Sequence, residues 1–201
     1  TDLVNTDPQN RLLARQSRIR VEAEIIRDLA LAVSGKLSPR IGGPGVYPPQ
    51  PEGVYAFTQR KKNWKTSQDE DRFRRGMYTF FYRSAPYPML TTFDVPKFNQ
   101  VCTSRDRSNT PLQSLTLANS EALFELAEIF GQRIVEEGGA SDLDRVHFAF
   151  RTGLARSPAL AETARLQNYT QHVRKQFSNE EKVWTAVARV IMNLDEFVTR
   201  E

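Results

Sequence analysis

Apolar residues take on a regular spacing between Arg11 and Ser34, where Leu12, Ile19, Ile26 and Val33 recur every seven positions. Ile25 and Leu29 widen the stripe while Arg15, Arg18, Glu22 and Arg27 fall off it, so the period predicts one long amphipathic helix. Gly35 is placed to stop it. The spacing returns at Thr110, after which Leu112, Leu115, Ala122, Leu126, Phe130 and Ile134 mark one face down to Gly138-Gly139. Thr110 suits the N-cap, Pro111 the first helical position, and Gln113 completes a T-x-x-Q capping box for the orphan amides of the first turn. A further helix is expected from Ser141 or Asp142, with Leu143, Val146, Phe150 and Leu154 inward. Another should follow Ser157-Pro158 on the stripe Leu166, Tyr169, Val173 and Phe177. The last should open at Asn179 and carry Val183, Val187, Ile191, Leu194 and Val198 to the terminus. Four consecutive helices with short connectors predict an antiparallel bundle.

Between the first helix and Thr110 the pattern breaks down. Residues 36–53, "KLSPRIGGPGVYPPQPEG", hold five prolines and four glycines, a density that excludes helix and central strand. "MYTFFYR", residues 77–83, reads as one short strand or a buried extended segment, and prolines interrupt "SAPYPMLTTFDVPKFNQ" after it. An irregular arm of this length, about 36–109, is uncommon in a compact domain. Tyr78, Phe80, Phe81, Tyr82, Phe93 and Phe98 need burial, so the arm is expected to wrap the helices. The fold class is therefore mainly α: an antiparallel helical bundle with a long aromatic-rich arm and one short strand or hairpin, all within a single domain over residues 1–201.

Composition narrows the chemistry more than it identifies it. A chain of 201 residues with 39% apolar content can bury one sizeable core. No run of eighteen apolar residues occurs, so no membrane span is expected in this chain. Residues 1–110 carry 18 Lys/Arg against 11 Asp/Glu, and residues 111–201 carry 10 against 13, an asymmetry that can orient a partner. Cys102 is the only cysteine, which excludes a C-x-x-C-H haem attachment and an internal disulfide; no cofactor is expected here. His147 and His172 have no local signature joining them to Cys102 or to a carboxylate at metal-ligand spacing. "QRKKNWK", residues 59–65, sets four positive charges around Trp64 and raises nucleic-acid binding as a reading, but Asp69, Glu70 and Asp71 follow closely and neutralise it, so no nucleic acid is expected as a partner.

What remains is a polar concentration between the aromatic arm and a helix start, "RDRSNTPLQSL" at 105–115, with Arg83 and Asp94 upstream. Candidate binding residues are Arg83, Asp94, Arg105, Arg107, Asn109 and Asn119. The bland reading has Arg105 or Arg107 tying the arm to the bundle through a carboxylate such as Asp94. The functional reading has these side chains converge on an open pocket.

Several stretches in order, "NRLLARQSRIRVEAEIIRDLALAVSGKL", "GGP", "FRRGMYTFFYRSAPYPMLTTFD", "CTSRDRSNTPLQSLTLAN" and "VWTAVARVIMNLDEFVTRE", resemble the planctomycete secreted domain, domain-of-unknown-function family 1553. The most specific are Arg107 to Gln113 and Asn193 to Phe197. The resemblance implies an exported, periplasmic or cell-surface protein in which this region lies C-terminal to other domains, among them, in some architectures, a haem-bearing cytochrome c-like segment. It supplies no reaction and no catalytic residue, and fold alone does not give function. The leading expectation is a non-catalytic scaffold or binding module whose partners are other domains of the parent, a glycan or another exported protein. The alternatives are an enzyme or redox-associated domain completed by upstream segments, and a weak nucleic-acid binder.

Overall fold

The computed structural model describes residues 3–16, 18–56, 58 and 62–200. Its helices are α1 (Leu3–Thr6), α2 (Ala23–Val33), α3 (Pro88–Thr92), α4 (Pro111–Asn119), α5 (Glu121–Glu137), α6 (Asp142–Leu154), α7 (Leu160–Arg174), α8 (Glu180–Met192) and α9 (Asp195–Val198). Two short strands, β1 (Ile19–Arg20) and β2 (Thr199–Arg200), pair antiparallel, so that the segment before α2 is joined to the one after α9. The bundle is centred on α5, which lies along α8 and also contacts α2, α4 and α6. Leu126, Phe130 and Ile134 of α5, Trp184, Val187 and Ile191 of α8, Val146 and Phe150 of α6, and Ile26 and Leu31 of α2 form one buried cluster. Aliphatic and aromatic burial on this scale is the main favourable term.

A missing side chain lets α5 and α8 come into backbone contact. A Cβ on Gly131 of α5 would lie 2.5 Å from the Thr185 amide nitrogen of α8, so the two helix backbones meet where only hydrogen fits. Charged clasps fix the helix ends. The Arg174 guanidinium, at the C-terminus of α7, holds Asp142 at 2.5 Å and Glu180 at 2.6 Å, carboxylates in the first turns of α6 and α8. Both signs suit the helix dipoles they face. Arg156 likewise joins Glu162 of α7 to Glu196 of α9.

Caps explain which predicted boundaries hold. Ser141 accepts from the Asp144 amide and Asn179 from the Lys182 amide, starting α6 and α8 where the sequence indicated. The helix after Ser157-Pro158 instead begins at Leu160, because the Glu162 carboxylate reaches back to the Ala159 amide at 2.7 Å. The first helix is shorter than its heptads imply. The Asp7 carboxylate accepts from the Leu12 amide, and the Arg15 guanidinium binds the Asp7 and Pro8 carbonyls, closing a loop that leaves Leu12 and Leu13 exposed. Ile19 and Arg20 are then strand, and α2 starts at Ala23.

The stripe from Leu112 to Ile134 is two helices, α4 and α5, broken at Ser120, whose backbone is extended. Leu112 and Leu115 consequently face solvent rather than the core. The stretch 77–83 is not a strand: a 3-10 turn covers Gly76–Tyr78, and single bridges join Thr79 to Val46 and Tyr82 to Ala85. The arm does wrap the bundle, with Tyr87, Met89, Leu90 and Phe93 buried in the common core. Phe98 stays half exposed against Phe81.

Gly131→Ala gains about 1 kcal/mol of helix propensity but forces backbone apart at a site with no flexible neighbour to yield, at about 1–3 kcal/mol. The clash wins, so the denaturant midpoint of this variant should fall; a rise would mean that α5 and α8 are not in this contact.

Candidate functional site

The polar concentration at 105–113 folds into a joint around Arg20. Pairing of β1 with β2 fixes the Arg20 backbone, and its side chain runs inward, 6% exposed. Nε donates to the Ser108 carbonyl at 2.8 Å, Nη1 to the Val21 carbonyl at 2.8 Å, and Nη2 to Asp94 Oδ2 at 2.6 Å, with the guanidinium over the Phe93 ring. Asp94 stands in the left-handed region, φ 61°, just past the end of α3. There the Val95 amide bonds the Leu90 carbonyl and the Asp94 amide the Thr91 carbonyl, a Schellman closure more often made with glycine. That backbone turn aims the carboxylate at the Ser108 amide and hydroxyl, each 2.8 Å from Oδ2. Burial alone would push the Asp94 carboxyl up, but the Ser108 bonds and Arg20 outweigh it and hold it below its usual range. Its contribution to stability is therefore present above the ordinary carboxylate range and lost as pH falls through the lowered value. Gln113 closes the ring, its amide nitrogen 3.0 Å from both the Thr92 carbonyl and the Ser108 hydroxyl and its oxygen accepting the Thr110 amide, the Gln arm of the capping box.

Arg105 and Arg107 do not pair with Asp94. Arg105 makes a bidentate pair with Glu24 at 2.8 and 3.2 Å, and Arg107 binds Glu22 at 2.8 Å; both carboxylates belong to the start of α2. Arg107 is the chief reason Glu22 titrates below its usual range. The sequence reading placed the arm's arginines at the joint but missed Arg20, Glu22 and Glu24. The only available signal was alternation of charge in "RIRVEAE", which says nothing of partners some eighty residues away. The other candidates scatter. Arg83 is exposed on the arm and joins neither pair, Asn109 is exposed, and Asn119 donates to the Leu115 carbonyl of its own helix. A polar cleft of about 470 Å³ opens outside the joint, with Asp94, Lys97, Cys102, Arg105 and Asp106 in its wall. Cys102 is exposed there, its Sγ 3.2 Å from the Ser104 carbonyl.

The arm is held to the bundle by further polar contacts. Asp28 of α2 takes Arg75 Nε at 2.7 Å and the Gly76 amide at 2.6 Å. A Cβ on Gly76 would meet the Glu24 carbonyl oxygen at 2.4 Å, so the arm crosses α2 in backbone contact. Arg74, fully buried, places its guanidinium on the Gly42 and Pro44 carbonyls and over the Tyr78 ring, so that "GGP" and "FRRGMY" lock into each other.

Beyond this the aromatics gather. Trp64 lies face to face with Tyr87, centroids 5.5 Å apart, with Tyr47 at its edge and its indole N–H on the Pro48 carbonyl. Tyr87 bonds the Pro49 carbonyl, and burial pushes its phenol up to about 12. Of the basic stretch at 59–65, Gln59, Arg60 and Lys61 lie outside the described residues, and Lys62 sits over the Tyr82 ring. Two adjoining depressions flank the cluster and share Gln50 and Pro51. One is apolar, about 330 Å³, between Tyr87, Met89, Leu112 and Leu115. The other is polar, about 710 Å³, between Tyr55, Lys62, Trp64 and Glu121. Among the described residues no group of three or more His, Cys, Asp and Glu side chains could hold a metal, and no helix is long and apolar enough to cross a membrane.

The chain belongs to PSD1, a protein family of unknown function (DUF1553), whose model matches residues 1–170. The match includes the joint and both depressions and ends within α7, so Asn193 to Phe197 lie beyond it. No curated protein and no solved structure matches the chain.

Because Arg105 and Arg107 are about two-fifths exposed, each pair is worth no more than about 1 kcal/mol. Arg105→Ala and Arg107→Ala should each lower the melting temperature by only about 2–4 °C. A loss several times larger would place these side chains in buried pairs.

Proposed function

We propose that this chain is a non-catalytic binding and scaffold module of an exported multidomain protein, and that it meets its partners through the arm rather than through the arginine cluster. The observation that carries this reading is the disposition of charge. Arg20, Arg105 and Arg107 each face a carboxylate of the same chain, so the residues richest in chemical possibility are engaged in joining arm to bundle. The two depressions beside Trp64 and Tyr87, by contrast, are open, and the apolar one exposes Leu112 and Leu115 on a helix face turned away from the core. An exposed apolar patch next to a polar cleft is the ordinary anatomy of an interaction surface. The family resemblance adds export and neighbouring domains, which makes glycans, other exported proteins and the rest of the parent chain the partners to test.

Leu115→Asp and Lys62→Glu change one depression each at surface positions, where substitutions shift stability by about 0.5 kcal/mol, or roughly 2 °C in a chain of this size. In the parent protein at least one should cut binding to its domains or to glycan tenfold or more with the melt unchanged. Undiminished binding by both would contradict the proposal.

A further inference from the structure

The polar depression has a composition that selects among ligands. We infer that it is a carbohydrate-binding cleft for neutral oligosaccharides, an assignment that rests on the reading of the arm as the binding surface. Its volume of about 710 Å³ lies in the range of clefts that enclose a small organic ligand. Trp64 keeps one face on Tyr87 and an edge on Tyr47, part of its remaining surface lines the cleft, and Tyr55 lies tilted against it, 5.9 Å between centroids. An aromatic wall of this kind matches the C–H face of a sugar ring, while Gln50, Lys62, Thr66 and Glu121 offer both donors and acceptors to its hydroxyls. Among the described residues of the lining, Glu52 and Glu121 set two negative charges against the one of Lys62, a balance that does not favour a polyanion.

A second observation points the same way. Gln50 Oε1 and Tyr55 OH are withdrawn from solvent and neither completes a hydrogen bond. Both side chains line this cleft. Burial pushes the Tyr55 phenol up, and the Gln50 side chain, near enough to act as its hydrogen-bond partner, opposes that shift, although the geometry between them leaves Gln50 Oε1 and Tyr55 OH short of a completed bond. Unmet buried polar atoms are costly and uncommon. The terminal torsion of a glutamine is soft, so a small rotation of Gln50 turns its amide toward a ligand hydroxyl and lets both atoms acquire partners. The cleft is thus incomplete as a folded surface and completed by a hydroxyl-rich guest.

The test uses the full chain and hexaoses of β-1,4-linked glucose, xylose and mannose, with α-1,4-galacturonate as the charged contrast. Trp64 fluorescence is the readout, because Trp184, the other tryptophan, is fully buried. At least one neutral hexaose should bind with a dissociation constant below about 1 mM, and the galacturonate at least fivefold more weakly. Gln50→Met and Tyr55→Phe remove the two unmet atoms while keeping shape. They should hold or raise the melting temperature of the free protein and weaken hexaose binding fivefold or more. The assignment fails if no neutral hexaose shifts the spectrum at 10 mM, if galacturonate binds as well or better, if both variants bind like the parent, or if both melt several degrees lower without ligand. If the hexaoses fail while Lys62→Glu still abolishes binding to other domains of the parent, the sugar assignment falls and the arm remains the binding surface.

Discussion

The pair of buried Arg20 and half-buried Asp94 is the constraint on which the arrangement of arm and bundle depends. A guanidinium 6% exposed can persist only with its charge met, and here Asp94, Ser108, Val21 and Phe93 surround it. Through these contacts one side chain joins β1, the end of α3 and the approach to α4, and the β1–β2 pairing carries the tie on to the C-terminus. Taking away one partner leaves the other charged inside the fold, which costs about 3–5 kcal/mol, whereas the outer pairs at Glu22 and Glu24 are solvated and worth far less. The joint therefore grades from a buried anchor to an exposed rim. The anchor sets position, and the rim closes the surface over it.

The same solution recurs where the arm has no ladder of its own. Among the described residues between α2 and α4 the helical structure is α3 and the 3-10 turns at Asp69–Phe73 and Gly76–Tyr78, so many backbone groups must find partners in side chains. Arg74 takes two carbonyls, Asp28 takes an amide and a guanidinium, and Trp64 and Tyr87 take the carbonyls of Pro48 and Pro49. Arginines and aromatics thus replace secondary structure, and the apolar faces of the aromatics reach the core of the bundle. That economy leaves the outer side of the Trp64 cluster open, next to a helix whose Leu112 and Leu115 the core does not use. The proposed binding surface is the consequence.

The helices were legible in the sequence wherever a side-chain cap marks them: Ser141 and Asn179 start α6 and α8 because each offers an oxygen to an orphan amide. Periodicity without a cap misled. Leu12 fits a heptad but lies on a loop closed by Asp7 and Arg15, because side-chain hydrogen bonds to backbone compete with helix there, and Ile19 pairs in β1 instead. The break at Ser120 has no glycine or proline to announce it, and Leu112 and Leu115 were read into a core they do not enter. At the joint, residue type was enough to single out Asp94, Arg105 and Arg107, since charge beside buried aromatics and a helix start must be neutralised. Partnership was not readable, because Glu22 and Glu24 lie more than eighty residues from the arginines and pairing at that range is decided by packing. Gln50 and Tyr55 gave no signal in the sequence; an unmet polar atom exists only relative to a fold.

The most direct test of the joint is a double-mutant cycle on stability with Arg20→Met and Asp94→Asn, Asn being chosen because it tolerates the left-handed backbone at position 94. If Arg20 and Asp94 anchor arm to bundle, each single variant loses about 3 kcal/mol or more, and the pair recovers about 2 kcal/mol or more of that sum as coupling. Coupling below about 0.5 kcal/mol, with both single variants near the parent in stability, would show that the two charges are independent and that the joint is not what holds the arm in place.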